Sequence, residues 1–188
     1  MSGAAADPSA SPPLLLVLSG LPGAGKTALA RALAPRLNAV HIRIDTIEQA
    51  LLAVHGAALG GDVGEAGYRI AYALAADQLQ LGHHVIADSV NPLAATREAW
   101  HAVARNAAAQ VVDVEVVCSQ PAEHRERVEA RGADIAGQLL PNWQAVQSRE
   151  YEPWPAGSCL RVDTAARSVE QAAAELLALL PASHRGTY

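Results

Sequence analysis

Gly20-Leu21-Pro22-Gly23-Ala24-Gly25-Lys26-Thr27 fits the pattern G-x-x-x-x-G-K-[ST], the phosphate-cradling P-loop. Its glycines let the backbone turn so tightly that successive N–H groups point inward at the positive end of the following helix. In such a nest Lys26 would reach the β and γ phosphates and the Thr27 hydroxyl would hold Mg²⁺. A Gly-rich turn fitting by accident is the alternative, and chance supplies one in roughly a hundred chains of this length or fewer.

The flanks decide between the two. Leu14-Leu15-Leu16-Val17-Leu18 is a short apolar run suited to a strand buried on both faces. Beyond the loop, Leu29, Leu33 and Leu37 recur at helical spacing, which predicts a helix over about residues 26–37 bent by Pro35. Lys26 is also the only lysine among fourteen lysines and arginines. A compact ammonium fits between phosphates where a planar guanidinium does not.

Working outward, Val40-His41-Ile42-Arg43-Ile44 alternates as a second strand and delivers Asp45 at its C-terminal end. Ligands of open parallel sheets bind outside the carboxyl ends of the strands, so Asp45 is a candidate general base. Asp45-Thr46-Ile47-Glu48 also reads as a capping box for the next helix, and the two roles are compatible. Residues 55–64 are Gly-rich and could form a flap. Tyr68, Tyr72, Ala75 and Leu79 mark one face of a helix ending at Gly82. His84 to Asp88 is an apolar run ending in an acid, the Walker-B pattern, in which the carboxylate meets Mg²⁺ or its water.

Asn91-Pro92 reads as a helix cap followed by Pro at the first turn, and Arg97 on that helix is a candidate substrate contact. Val111 to Cys118 is the fourth strand. The charged helix Ala122 to Arg131 carries Glu123/Arg127 and Arg125/Glu129 pairs. Arg127 and Arg131, four apart, could instead close over nucleotide phosphates. Residues 132–142 lack a period and suit a short lid, before a helix starting at Trp143. Cys159 to Asp163 is the fifth strand, and Ser168-Val169-Glu170-Gln171 caps a last helix ended by Pro181.

These elements alternate as in a parallel α/β sheet. Residues 1–13 read as a disordered tail, 14–180 as one domain and 181–188 as a polar tail. Net charge of −5 and a pI near 5.8 argue against a broad nucleic-acid surface. The run at 14–18 is too short for a signal peptide or a membrane span. Cys118 and Cys159 have no metal or redox spacing, and the seven histidines show no ligand spacing. A cytoplasmic protein with two reduced thiols is the expectation.

With the P-loop, Asp45, Asp88, ADSVNP with Arg97, ERVEAR and REYEP in place, residues 14–180 resemble the small P-loop kinases of the nucleoside-kinase-like group. The nearest branch includes chloramphenicol phosphotransferase-like and zeta-toxin-like proteins with gluconate and adenylylsulfate kinases. The resemblance implies a three-layer α/β/α P-loop NTPase fold with strand order 2-3-1-4-5 and a short helical lid. It also implies ATP·Mg²⁺-dependent phosphoryl transfer to a small-molecule hydroxyl. Gly20 through Ala28 and Arg127 would then bind the nucleotide, Thr27 and Asp88 the metal, and Asp45, Glu48 and Arg97 the acceptor. Lys26, Asp45 and Arg131 would be the catalytic set. Two positions depart from the branch. Ala28 replaces a usual Ser or Thr, and Glu48 stands where an Arg is common, which favours a neutral or cationic acceptor over an anionic one. A nucleotide-driven switch or ATPase acting through a protein partner is the competing class. It is not a GTPase, since a chain with one lysine cannot hold an Asn-Lys-x-Asp motif.

Overall fold

The computed structural model describes residues 11–56 and 62–184. Five strands and seven helices follow one another as β1 (Leu14–Ser19), α1 (Lys26–Leu33), β2 (Ala39–Arg43), α2 (Ile44–His55), α3 (Ala66–Gln80), β3 (His84–Asp88), α4 (Ala94–Asn106), β4 (Gln110–Val117), α5 (Pro121–Ala130), α6 (Trp143–Gln147), β5 (Leu160–Asp163) and α7 (Val169–Leu179). All strand pairings are parallel, in the order β2-β3-β1-β4-β5, so the P-loop fold implied by the resemblance is the fold observed.

β1 is central, and all six of its residues are buried. Its alternation assigns the two faces. Leu14, Leu16 and Leu18 pack with Leu29 and Leu33 of α1 and Leu176 of α7, while Leu15 and Val17 pack with Ala71, Ala75 and Leu79 of α3 and Trp100 of α4. A strand with both faces covered has no room for polar side chains, which is why this one reads as an unbroken apolar run. Register then brings functional positions together, since Asp88 lies opposite Leu18 on one side and Arg43 on the other.

Several local expectations change. α1 ends at Leu33 rather than Leu37, because Pro35 offers no N–H and Asn38 takes a left-handed φ of 47°. α2 follows β2 directly. Ile44, 2 % exposed, is drawn into the core and Arg43 becomes the N-cap with no side-chain bond, so the Asp45–Glu48 capping box does not form. Asn91 does not cap α4 either. Leu93 holds that position, and Asn91 is buried with φ 50°, its side-chain amide donating to Ser19 Oγ at 2.9 Å. The lid segment 132–142 contains no helix, unlike the short helical lid expected. By contrast, the Ser168–Gln171 capping box is present.

At the C-terminal end the chain does not trail away at 181. A 3-10 turn, Ala182–His184, tucks His184 edge-on against His84 and bonds it to Gln110 Oε1 at 2.8 Å. The expected flap at 55–64 falls largely on residues 57–61, outside the described residues. No helix among the described residues is long and apolar enough to cross a membrane.

Candidate active site

The carboxyl ends of β1, β2 and β3 open into a cleft of about 680 Å³, walled by the P-loop, α2, the end of α5 and the segment 137–141. Close packing explains the loop's glycines. Gly20 has φ 137°, and a Cβ there would lie 2.2 Å from the Val116 carbonyl oxygen, so only glycine lets the chain leave β1 this way. α5 and β5 clamp the loop from outside. His124 Nε2 donates to the Pro22 carbonyl at 2.8 Å, and Thr164 Oγ1 lies 2.9 Å from the Ala24 carbonyl.

Lys26, 8 % exposed, donates to the Gly20 and Leu21 carbonyls at 2.8 and 3.1 Å. Burial lowers its pKa to about 8, against the opposing pull of the Asp88 and Asp45 carboxylates. Both acids are thus close enough to act on the ammonium. Asp88 is 2 % exposed and accepts from His41 Nε2 at 3.1 Å. Burial pushes its carboxyl up, but the His41 bond, the Lys26 charge and the Thr27 hydroxyl together hold it below the ordinary carboxylate range.

Asp45, in the first turn of α2, faces the same cleft. Its Oδ2 accepts from Gln138 Nε2 at 3.1 Å and lies 3.5 Å from Arg43 Nη2. One turn on, Glu48 also lines the cleft, and burial followed by the nearby Asp45 raises its carboxyl. Arg127 and Arg131 both reach the cleft. Arg127 is held by Glu123 and by the Thr164 side chain and carbonyl, the latter two at 2.8 Å. Arg131, just past α5, leaves its Nε buried without a partner.

Arg97 is the correction. It does not face the cleft. The residue is 6 % exposed, and its guanidinium donates to the carbonyls of Asn91, Pro92 and Glu152 and lies over the Trp154 ring at 4.1 Å. Its fork satisfies the Asn91 and Glu152 carbonyls, adds a second donor to Pro92, which also accepts from the Glu152 N–H, and joins the loop after β3 to the segment after α6. Trp154 therefore packs on Arg97, and Trp143 stacks edge-on against His124 at 5.2 Å.

Sequence reasoning missed Arg43, Ser89, Gln138 and Arg149, which also line the cleft, and His41 behind Asp88. Arg43 and Arg31 grip Asp134 of the lid segment at 2.8 and 2.7 Å, holding that carboxyl down at about 2. His41 and Arg43 were visible only as alternating members of β2, a signal about strand faces rather than chemistry. Gln138 and Asp134 come from a segment with no period at all. Among the described residues no group of three or more His, Cys, Asp or Glu side chains could hold a metal ion by itself.

A family described as an AAA domain matches residues 15–146. Among curated proteins, none matches the chain. Among solved structures, a protein of Chloroflexus aurantiacus j-10-fl, provisionally assigned as a kinase, superposes with a TM-score of 0.68 at 23 % identity over 91 % of this chain and 100 % of its own. The APS kinase of Mycobacterium tuberculosis, in complex with AMPPNP and APS, gives 0.63 at 20 % identity over 90 % and 98 % of the two chains. A gluconokinase from Sinorhizobium meliloti 1021 gives 0.60 at 18 % identity over 89 % and 91 %. All three share the fold.

Proposed function

The chain belongs to this AAA-domain family, and we propose that within it the protein is an ATP-dependent phosphotransferase that moves the γ-phosphoryl group to a hydroxyl of a small molecule. One observation carries the reading: Lys26, Thr27, Asp88 and Asp45, from three separate elements, meet in one cleft, with the Lys26 ammonium under the influence of both carboxylates.

The donors present suit ATP and Mg²⁺. The left-handed glycines Gly23 and Gly25 (φ 84° and 99°) shape an anion nest with no space for a Cβ at Gly23, which would meet Val128 Cγ2 at 2.5 Å. Thr27 and an ionised Asp88 offer the hard oxygen donors Mg²⁺ takes. A hollow of about 300 Å³ shares Gly25, Ala28 and Arg127 with the cleft and is floored by Leu29, Thr164 and Ala172. We place the nucleobase there, beside Arg127. When bound, ATP·Mg²⁺ supplies an electrophilic phosphorus with part of its charge neutralised.

The chain's own groups do the rest. Lys26 and Arg131 stabilise charge on the transferring oxygens. Asp45 orients the acceptor hydroxyl and takes its proton as the acceptor oxygen bonds to the γ-phosphorus and the β–γ bridge breaks, leaving ADP. The lid segment, pinned through Asp134, keeps Gln138 on Asp45 and limits water. ATP turnover measured with acceptor alcohols, in the protein and in Asp45→Asn, tests this. Equal loss of ATP binding and turnover in Asp45→Asn would make Asp45 structural and remove the base.

A further inference from the structure

We propose that Glu48 reads a cationic group on the acceptor, so that the favoured acceptors are amino alcohols and aminosugars carrying an ammonium near the reacting hydroxyl. This rests on the phosphotransferase reading of the cleft.

Asp45 and Glu48 are three residues apart on α2 and face the cleft together. Their situations differ. Asp45 has Gln138 and Arg43, whereas the half-buried Glu48 carboxylate makes no hydrogen bond and no ion pair among the described residues. It is held by packing instead. Buried Gly67 of α3 lies against it so closely that a Cβ at 67 would come within 2.4 Å of Glu48 Cγ and 2.9 Å of Oε1. A fixed, half-buried carboxylate without a donor is costly unless a ligand supplies one.

A second, independent feature points the same way. Ser89, 4 % exposed and just beyond Asp88, lines the cleft, with its hydroxyl turned toward that of Tyr68. Gln138 spends its N–H on Asp45 and leaves its buried Oε1 unpaired in the same wall. The Glu48 carboxylate and the Gln138 amide oxygen therefore both accept, beside a Ser89 hydroxyl that can accept as well as donate. An ammonium brings three donors and the complementary charge, while a neutral hydroxyl brings one donor and a carboxylate none.

The cleft's cations do not cancel this. Lys26 and Arg127 stand at the phosphate end, Arg131 lies among Asp45, Arg43 and Asp134, and Arg43 is shared between Asp134 and Asp45. Arg149 is the competitor. It lines the cleft from the α6 side, exposed, and its charge acts on Glu48 without an ion pair between them, so its dominance would select acids instead.

The test uses matched acceptors, glucosamine with glucose and gluconate, and serinol with glycerol and glycerate, each scored for transfer of label from γ-labelled ATP. The expected result is a kcat/KM for the amines at least about tenfold above their neutral partners, carried by KM. Glu48→Gln removes that preference, and Gly67→Ala weakens it with the charge retained. An ATP-induced thermal shift shows that each variant still folds. If glucose, glycerol or the acids are used as well as the amines, or the preference survives Glu48→Gln, the inference is overturned and the kinase reading stands. If no member of either set gains label, both fall.

Discussion

At the β1–α1 end of the cleft, the lining is backbone that three glycines and a buried strand hold in place. At the α2 end, contacts come from side chains gathered from β2, α2, the end of β3, the lid segment and the residues after α6. The first end is clamped through carbonyls, by His124 on Pro22 and Thr164 on Ala24. The second is tied by exposed ion pairs and one amide, Asp134 with Arg31 and Arg43 and Gln138 on Asp45. On the proposed reading, binding ATP and choosing an acceptor are separable tasks, the first insensitive to side-chain change beyond Lys26 and its neighbours, the second open to it.

The sharpest way to break that separation is at Lys26. Lys26→Ala should reduce transfer by about a thousandfold or more, as for loss of a preorganised charge at the reacting group. Its melting temperature should be unchanged or higher, because a buried charge has been removed. Activity near that of the parent protein would mean that the cleft's phosphate end lies elsewhere. Asp45→Asn should cut kcat by about a hundredfold or more while the Kd for ATP stays put, and isothermal titration beside steady-state kinetics reads both.

Arg97→Ala comes next and moves a different quantity. The Asn91 and Glu152 carbonyls lose their donor while Pro92 keeps the Glu152 N–H, so unfolding free energy should fall by about 3 kcal/mol in a denaturant titration. A variant of unchanged stability with a raised KM would return Arg97 to the acceptor site.

The pH response of Lys26 is smaller and has opposite signs in two measurements. Its pKa is near 8 in the folded chain against 10.5 ordinarily, so between those values the unfolded chain binds more protons. Stability without nucleotide should therefore rise with pH across that window. ATP affinity should fall over the same window, approaching tenfold per pH unit above about 8 as the ammonium loses its proton. The smallest effect is expected at the lid. Asp134→Ala breaks exposed pairs, so KM for the acceptor should rise less than about fivefold, and less still at high salt.

What could be read from the amino-acid order follows the same division. The β1–loop–α1 stretch, Asp88 and the Ser168 capping box were legible because spacing alone encodes backbone geometry there. Asp45 was found from strand polarity, although the reason given for its helix role failed. A tertiary effect, burial of Ile44, moved the helix start. Arg97 misled because a buried arginine and an exposed one look alike until their carbonyl partners are known. Arg43, Ser89, Gln138 and Arg149 form a wall only after the chain has folded, and no local period announces them.

Transfer to an acceptor is read by following the label of γ-labelled ATP into products in the presence of hydroxyl acceptors. The expected result is a labelled phosphate ester, formed by the parent protein and lost in Asp45→Asn, with ATP bound equally by both. Label appearing only as inorganic phosphate, at a rate indifferent to every acceptor and raised by a protein partner, would contradict it.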